Sequence, residues 1–218
     1  MNTNGNSTQR YFHSKAKQFD RFYTNTSYLK KKFEYIFRAG IFDRYRRVFE
    51  ILGNVEGKKI LDVGCGSGRY SVEVAQRGAS EVVGIDFATN MLAISEELAK
   101  TNNVTDRCHF INADFLDFSM PSKQFDISIA IGFFDYIKEP EEFLSKIVKM
   151  TKKTVIASFP RKSLIRMPIR KLRYRFKNCP VYFTDKDSLS LTLKRIGCSN
   201  YELINYKSSG YLLVIKLS

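Results

Sequence analysis

Long apolar runs, paired cysteines and clustered histidines are all missing from this 218-residue sequence. No stretch approaches the roughly 18–20 apolar residues of a membrane span, so an integral membrane protein is not expected. The polar first ten residues lack the apolar core of a signal peptide, which favours a cytoplasmic protein. The four cysteines include no Cys-x-x-Cys pair, so reduced thiols are expected instead of a zinc site or a disulfide framework. Two histidines that form no cluster with carboxylates predict no metal site.

The composition is that of a folded chain. Hydrophobic residues make up 44% of the sequence and aromatic residues 14%, which excludes a disordered protein. The length suits one domain, or one domain with a small appendage, and is sufficient to bury a full core.

Positive charge is concentrated in two stretches. Residues 1–47 hold eleven Lys and Arg against three Asp and Glu, and residues 161–177 hold eight Lys and Arg and no acid. Of the formal net charge of +14, each stretch carries +8 and the rest of the chain −2. Such patches attract phosphates, carboxylates, nucleic acid or an anionic membrane surface, although solvated helix faces give the same pattern.

Hydrophobic periodicity predicts a helical N-terminal segment followed by alternating strands and helices. Apolar residues at steps of three and four indicate helix between residues 11 and 52, and Gly53 and Gly57 bracket the turn that ends it. Strands are predicted at residues 59–63, 82–85, 108–112, 125–131, 154–159, 201–206 and 211–217, and helices at residues 70–77, 90–100, 140–150 and 185–196. This alternation indicates a doubly wound α/β fold with a mostly parallel, seven-stranded sheet.

The last third of the chain departs from simple alternation. The link Lys207-Ser-Ser-Gly210 fits a β-hairpin, so the last strand is expected to run antiparallel. The basic stretch, interrupted by Pro168, is interpreted as an insertion at about residues 160–183 with a short helix near residues 169–176. We therefore expect a helical lid over residues 1–52 and a core domain over residues 53–218 that carries the insertion.

A glycine-rich loop follows the first predicted strand. In Ile60-Leu-Asp-Val-Gly-Cys-Gly-Ser-Gly68 the chain leaves a strand and enters a helix, where this kind of fold opens its ligand crevice. Glycines let the backbone approach a ligand closely, and the next helix presents free N–H groups there. Asp86 ends the second strand twenty residues after Gly66, where a carboxylate binds both hydroxyls of a ribose. Loop and carboxylate together predict a nucleoside site.

The glycine spacing argues against a dinucleotide. A dinucleotide fingerprint would place a third glycine at position 69, where this chain has Arg69. Asp62, two residues before Gly64, adds a carboxylate that repels a pyrophosphate and attracts a cationic ligand. A sulfonium with a free amine suits that field, so a nicotinamide-dependent oxidoreductase is disfavoured.

At these residues the chain resembles the class I S-adenosylmethionine-dependent methyltransferases. The resemblance spans about residues 40–160 and the closing hairpin, and includes the glycine loop, Val83-Gly-Ile-Asp86, Asn112-Ala-Asp-Phe115 and Gln124-Phe-Asp-Ile-Ser-Ile129. It implies S-adenosylmethionine as the cofactor and S-adenosylhomocysteine as its product. The cofactor-binding residues that it implies in the core are Asp62, Gly64, Cys65, Gly66, Asp86, Phe87, Met91, Asp114, Phe115 and Ile131. Among them, Asp62 would bind the amino group, Asp86 the ribose and Asp114 the adenine amine.

Two features match the family pattern loosely. Family members often carry serine two residues after the ribose acid; here Ala88 stands at that position, so Thr89 is expected to cap the next helix. Residues 11–23 resemble the lid helix of small-molecule methyltransferases, which implies that Phe19 or Tyr23 closes over the cofactor. Simple packing gives aromatic residues the same helical spacing.

Methyl transfer to an oxygen of high pKa needs a base. Asp135 and Tyr136 follow the fourth strand on the acceptor side, and Asp135 is the first candidate for base or orienting group, with capping of the next turn as the alternative. His13, on the predicted lid, is another candidate, with an exposed surface histidine as the alternative. His109 lies inside the third strand and is interpreted as structural.

The basic insertion is expected to recognise the acceptor. Its residues Arg166, Arg170 and Arg173 are predicted to clamp a phosphate or a carboxylate. Arginines interleaved with aromatic residues also fit single-stranded RNA, and a peripheral membrane contact is a further alternative. The region after the fourth strand lacks an Asp-Pro-Pro-Tyr signature and a nucleophilic cysteine, which favours O-methylation of an anionic small molecule over RNA. A non-catalytic S-adenosylmethionine-binding module remains an alternative, and a monomer or weak homodimer is expected.

Overall fold

The computed structural model describes residues 31–161, 181–206 and 210–217, with side chains from residue 40 onward. Its elements are α1 (Lys31–Leu52), β1 (Lys59–Val63), α2 (Arg69–Gln76), β2 (Glu81–Asp86), α3 (Thr89–Thr101), β3 (Cys108–Asn112), β4 (Phe125–Ala130), a 3₁₀ helix (Phe134–Tyr136), α4 (Glu141–Met150), β5 (Thr151–Pro160), α5 (Lys186–Arg195), β6 (Tyr201–Tyr206) and β7 (Gly210–Lys216). The helix predicted near residues 169–176 and the start of the predicted lid lie outside the described residues. None of the described helices is long and apolar enough to cross a membrane.

One seven-stranded sheet organises the chain, in the order β3-β2-β1-β4-β5-β7-β6. Strands β1 to β5 run parallel to one another, and β7 runs antiparallel to both β5 and β6. The predicted doubly wound sheet with an antiparallel last strand is therefore confirmed. The strand order reverses between β1 and β4, so the carboxyl ends of these two strands border the crevice in which such folds bind ligands.

The predicted strands and helices that lie wholly among the described residues match within one residue at each end, except for β5. This strand begins at Thr151, three residues before its predicted start, because a register shift opposite Phe125 and Ile127 accommodates two exposed lysines. The buried Thr151 hydroxyl lies 2.6 Å from the Ser128 hydroxyl and donates to the Ile147 carbonyl, which holds this irregular start in place. The three-residue 3₁₀ helix was not predicted because it is shorter than one period of the pattern.

Both faces of the sheet are covered by helices. Along β1, Ile60 and Leu61 point to opposite faces, as the two-residue period of a strand requires, and each belongs to a different apolar cluster. The face of Ile60 packs against α1, α2 and α3, and the face of Leu61 packs against α4 and α5.

Helix α1 is held by its last two turns. The Tyr45 and Phe49 rings lie 5.2 and 5.8 Å from the Tyr70 ring of α2, and the Arg77 guanidinium lies 4.2 Å above the Phe49 ring. Val48 and Leu52 are buried in the same cluster. Because α2 begins directly after the glycine loop, this packing brings α1 close to the crevice.

Candidate functional site

Two loops face each other at the crevice between β1 and β4. Residues 64–68 follow β1 and residues 131–133 follow β4. A Cβ atom at Gly64 would lie 2.6 Å from Cδ2 of Phe133, so the two loops are in direct contact. Every predicted site residue among those described lies in or beside one of these loops, or on the turns that follow β2 and β3.

The glycine loop needs glycine for its backbone conformation. Gly64, Gly66 and Gly68 have φ values of +67°, +55° and +72°, which side chains rarely adopt. The N–H groups of Gly64 and Cys65 both donate to the Ile85 carbonyl at the end of β2, at 2.8 and 3.1 Å. The loop is thereby fixed across two neighbouring strands before α2 begins.

Replacing Gly64 with alanine is expected to destabilise the fold more than replacing Gly53. Both residues have positive φ, which costs an alanine about 1–2 kcal/mol. At Gly53 a Cβ meets no atom within 4 Å, whereas at Gly64 it collides with the Phe133 ring, so about 1–3 kcal/mol is added there. Urea unfolding of the two variants checks the difference. Equal losses would mean that Phe133 moves aside without cost.

Asp86 is anchored by the backbone on both sides. Its Oδ2 accepts the Gly66 N–H and its Oδ1 accepts the Ala88 N–H, each at 2.9 Å. These bonds aim the half-buried carboxylate at the glycine loop. The prediction that Thr89 caps α3 is wrong: Ala88 is the N-cap without a side-chain bond, and the Asp86 carboxylate supports this turn instead.

Asp62 is a buried carboxyl group, 2% exposed, beneath the same loop. The Ser71 hydroxyl donates to its Oδ2 at 2.6 Å. Burial is the main cause that raises its pKa to about 7; the nearby Asp86 raises it further, and the hydrogen bonds from Ser71 oppose the shift. A cation placed beside this carboxyl group would stabilise its ionised form and lower its pKa, so a positively charged group binds favourably here.

The remaining predicted cofactor residues differ in exposure. Phe87 is half-buried and packs with Met91, whose Cε lies 3.3 Å from the position of a Cβ at Gly66. Asp114 is exposed, and its Oδ1 accepts the Leu116 N–H at 2.9 Å. Phe115 is 4% exposed and stacks on Phe143 with its ring centre 6.4 Å away, so it packs as a core residue.

Cys65 packs beneath the glycine loop. Its Sγ lies 3.0 Å from the position of a Cβ at Gly84, so only glycine fits opposite it on β2. Burial raises the pKa of this thiol well above its usual range. Cys65, Cys108 and Cys198 are unbridged, and the described residues contain no group of His, Cys, Asp or Glu that could hold a metal ion.

The loop after β4 forms the other wall. Ile131 is buried, and the Gly132 N–H donates to the buried Ser158 hydroxyl of β5 at 2.7 Å. Asp135, 8% exposed, lies in the 3₁₀ helix, and its carbonyl accepts the Tyr182 N–H at 2.9 Å. Tyr136 is half-buried beside it. The candidate base and its neighbour are thus positioned just beyond the carboxyl end of β4.

The order of these elements and the glycine loop are matched by a family model described as a methyltransferase domain, over residues 54–183. The chain belongs to the class I S-adenosylmethionine-dependent methyltransferases. The predicted methyltransferase is thereby confirmed at the level of the family.

Relatives of this methyltransferase act on different acceptors. It is 35% identical over 99 residues to a ubiquinone biosynthesis O-methyltransferase of Pseudomonas fluorescens (strain SBW25), which covers 45% of this chain and 42% of that protein. It is 24% identical over 173 residues to a tRNA U34 carboxymethyltransferase of Alteromonas mediterranea, covering 74% and 51%. The chain spans about half the length, or less, of these curated relatives.

Solved structures share the fold of this methyltransferase. Magnesium protoporphyrin IX methyltransferase from Synechocystis PCC 6803, crystallised with S-adenosylhomocysteine, superposes with a TM-score of 0.78. The two sequences are 21% identical, and the match covers 96% of this chain and 97% of that one. A methyltransferase from Aquifex aeolicus superposes with a TM-score of 0.66 at 17% identity, over 94% and 98% of the two chains.

The described residues fit S-adenosylmethionine, the methyl donor of this family. The three glycines let the backbone of the loop approach a ligand closely, and two backbone N–H groups orient the Asp86 carboxylate beside it. The raised pKa of Asp62 marks a place where a cationic amino group is favourable. These residues would hold the ribose and the amino-acid part of the cofactor.

Several predicted site residues lie outside the described residues, so their roles stay predictions: His13, Phe19, Tyr23, Arg166, Arg170 and Arg173. His109, interpreted as structural, is exposed on β3, which is an edge strand of the sheet.

One charged residue near the site was not predicted. Arg44 of α1 places Nη1 and Nη2 3.6 and 3.7 Å from the position of a Cβ at Gly132. The basic character of residues 1–47 was visible in the sequence, but which arginine approaches β4 depends on the docking of α1. No local pattern contains that information.

Proposed function

We propose that this methyltransferase transfers the methyl group of S-adenosylmethionine to an oxygen of an anionic small molecule. The observation that carries the proposal is the position of the two described residues on either side of the basic stretch. Arg161 directly follows β5, and Tyr182, just beyond the stretch, donates its N–H to the carbonyl of Asp135. The described residues on either side of this stretch, Arg161 and Tyr182, therefore lie on the β4–β5 side of the crevice, and residues 161–177 contain eight Lys and Arg without an acid. Positive charge there favours a phosphate or carboxylate on the acceptor.

Two relatives support an oxygen of a small molecule as the acceptor atom. The Pseudomonas fluorescens relative is named for ubiquinone biosynthesis, and an Aspergillus nomiae relative, 26% identical over 105 residues, is named an O-methyltransferase.

Different residues of the chain have different roles in the proposed reaction. The cofactor supplies an electrophilic methyl group and a neutral sulfide leaving group when it is bound. Asp86 and the glycine loop fix its position, and Asp62 neutralises its amino group. Ile131 and Phe133 exclude water from the wall beside β4. Asp135 accepts the proton of the acceptor hydroxyl as the new C–O bond forms and the C–S bond breaks, or orients that hydroxyl.

Cofactor affinity is expected to rise with pH and then level off near pH 7. Below its pKa of about 7 the free Asp62 carboxyl is protonated, so binding an ammonium group must first release that proton. The dissociation constant of S-adenosylhomocysteine should therefore fall by about tenfold per pH unit from pH 5 towards pH 7. Calorimetric titration across this range measures it. In Asp62→Asn the slope should disappear, and an equally flat profile in the wild type would contradict the role of Asp62.

A methyl-transfer screen tests the proposed function. Purified protein, first shown to bind S-adenosylhomocysteine, is incubated with labelled S-adenosylmethionine and a panel of hydroxylated carboxylates, sugar phosphates and bulk tRNA. Labelled product from an anionic small molecule supports the proposal. Binding of the cofactor with no transfer to any member would favour a non-catalytic binding module.

RNA is the second candidate, because a relative covering 74% of this chain is named for a tRNA position. It requires RNA affinity that falls steeply with salt and that is lost in the double variant Arg170→Gln and Arg173→Gln. Transfer to tRNA with that salt dependence would replace the small-molecule proposal.

A further inference from the structure

A lysine of α4 contacts the turn that follows β3, at residues 113–118. The Lys146 ammonium donates to the Leu116 carbonyl at 2.6 Å, and it donates to the Phe118 carbonyl as well. It also lies 5.2 Å from the centre of the Phe115 ring. Because Lys146 comes 28 and 30 residues after the two carbonyls, these bonds join elements that are far apart in the chain.

The turn itself is organised around Asp114. The Asp114 carbonyl accepts the N–H groups of Asp117 and Phe118 at 3.1 and 3.0 Å, which makes residues 114–118 a single helical turn. Its Oδ1 accepts the Leu116 N–H at 2.9 Å. A lysine near the end of a helical turn can bind the last carbonyls, where a positive charge is favourable. Lys146 does so here from a neighbouring helix.

The position of Lys146 is fixed by the packing of α4. Its helix neighbours Leu144 and Ile147 are both 0% exposed, in the core on the face of the sheet that α4 covers. One turn before Lys146, Phe143 stacks on Phe115 with the ring centres 6.4 Å apart. The turn after β3 is therefore held by α4 through an aromatic ring and an ammonium group.

We infer that Lys146 is a positioning residue for the nucleoside, because it holds the turn in the shape that presents the Asp114 carboxylate to the adenine amine. The inference rests on the proposed function and deepens it by assigning recognition of the base to a contact between α4 and this turn. Asp114 is exposed, so its carboxylate is accessible while the backbone around it is held. A loop that is ordered before binding loses less entropy when the ligand binds.

The charge of Lys146 is a second property that its removal would change. Burial lowers the pKa of Lys146, while the nearby Asp117, Asp114 and Glu142 act in the opposite direction. Lys146→Met removes both the charge and the hydrogen bonds, whereas Lys146→Arg keeps a charged donor of similar length. Comparing the two variants connects any change in base recognition with the bonds to the turn.

Binding of two nucleosides that differ only at the adenine amine tests the inference. Calorimetry measures S-adenosylhomocysteine and S-inosylhomocysteine, in which a carbonyl oxygen replaces the amine and offers no proton to Asp114. The wild type is expected to prefer S-adenosylhomocysteine by about 100-fold. Lys146→Met should lower that preference to about tenfold, with little change for S-inosylhomocysteine, and Lys146→Arg should retain most of it. Equal weakening of both ligands would make Lys146 a structural residue only and overturn the inference.

The matched control is Lys149→Met. Lys149 is an exposed lysine on the same helix, three residues further along, so this variant removes one positive charge from α4 but leaves the bonds to the turn in place. It should bind both nucleosides as the wild type does. An equal loss of preference in Lys149→Met and Lys146→Met would overturn the inference. Melting temperatures accompany each titration, and Lys146→Gln is the second variant if Lys146→Met folds poorly.

A double variant shows whether Lys146 acts through Asp114. Asp114→Asn keeps an Oδ1 that can accept the Leu116 N–H but removes the carboxylate, so it should lose most of the preference for adenine. Adding Lys146→Met should then reduce the preference little further. Full preference in Asp114→Asn, or in the wild type none at all, would overturn the inference while leaving the proposed function intact. A wild type that binds neither nucleoside would instead overturn the proposed function.

Discussion

Asp86→Ala is expected to weaken S-adenosylhomocysteine binding by about 100-fold or more, equivalent to at least about 2.7 kcal/mol. The carboxylate holds the Gly66 and Ala88 N–H groups at 2.9 Å, so its loss releases the glycine loop and the start of α3 together. Hydrogen bonds to a charged group contribute about 1.5–3 kcal/mol each, and the proposed bonds to the two ribose hydroxyls would be lost as well. Calorimetric titration of wild type and variant measures the change.

Asp126→Ala provides the matched control for this prediction. Asp126 also accepts a backbone N–H, that of Lys59 at 3.0 Å, but at the opposite, amino-terminal end of β1. Its removal should lower the free energy of unfolding without changing S-adenosylhomocysteine affinity. Full binding by Asp86→Ala would mean that the nucleoside lies elsewhere, and equal loss in both variants would mean that affinity follows stability alone.

Asp135→Asn is expected to lower kcat by about 100-fold or more, the usual contribution of a general base. Asparagine keeps the size of the side chain but does not accept the acceptor's proton. The Asp135 carbonyl bond to the Tyr182 N–H is a backbone contact, which the substitution leaves in place. Initial rates with an acceptor from the screen, alongside S-adenosylhomocysteine titrations, measure both properties.

Glu139→Gln separates this effect from a general loss of negative charge near the loop. Glu139 is an exposed carboxylate four residues further along the chain, 3.8 Å from the Lys138 ammonium. It should retain wild-type kcat. If Asp135→Asn reduced cofactor binding and kcat to the same extent, Asp135 would be a structural residue of the 3₁₀ helix, the alternative that its sequence context allows.

The glycine loop, Asp86 and the strands could be predicted because each depends on residues close to it along the chain. The glycine loop was predictable because positive φ at three alternate residues demands glycine, and Asp86 because its distance along the chain sets its place at the end of β2. The strands were predictable because each is a short apolar run between turns. The same features carry the resemblance to the methyltransferase family, which the family model confirms.

Tertiary packing determines what could not be predicted. Thr89 is a good capping residue by type, but the Asp86 carboxylate already supports that turn, so the local preference was overridden. The early start of β5 depends on a register shift opposite β4. Arg44 reaches Gly132 only because Tyr45 and Phe49 dock on Tyr70 from another helix.

A row of stacked aromatic rings supports the loop that follows β4, on the side of the crevice proposed to bind the acceptor. Phe134 stacks on Phe159 of β5 at 4.6 Å, Phe159 stacks on Tyr211 of β7 at 5.7 Å, and the Tyr211 hydroxyl donates to the Thr184 carbonyl at 2.7 Å. The loop after β4, Thr184 before α5 and the hairpin are thereby joined into one unit. Most of the residues proposed to bind the cofactor lie in a different part of the chain, between β1 and the turn after β3. Under the proposed function, changes within this unit are expected to alter the choice of acceptor while the residues proposed to bind the methyl donor stay the same.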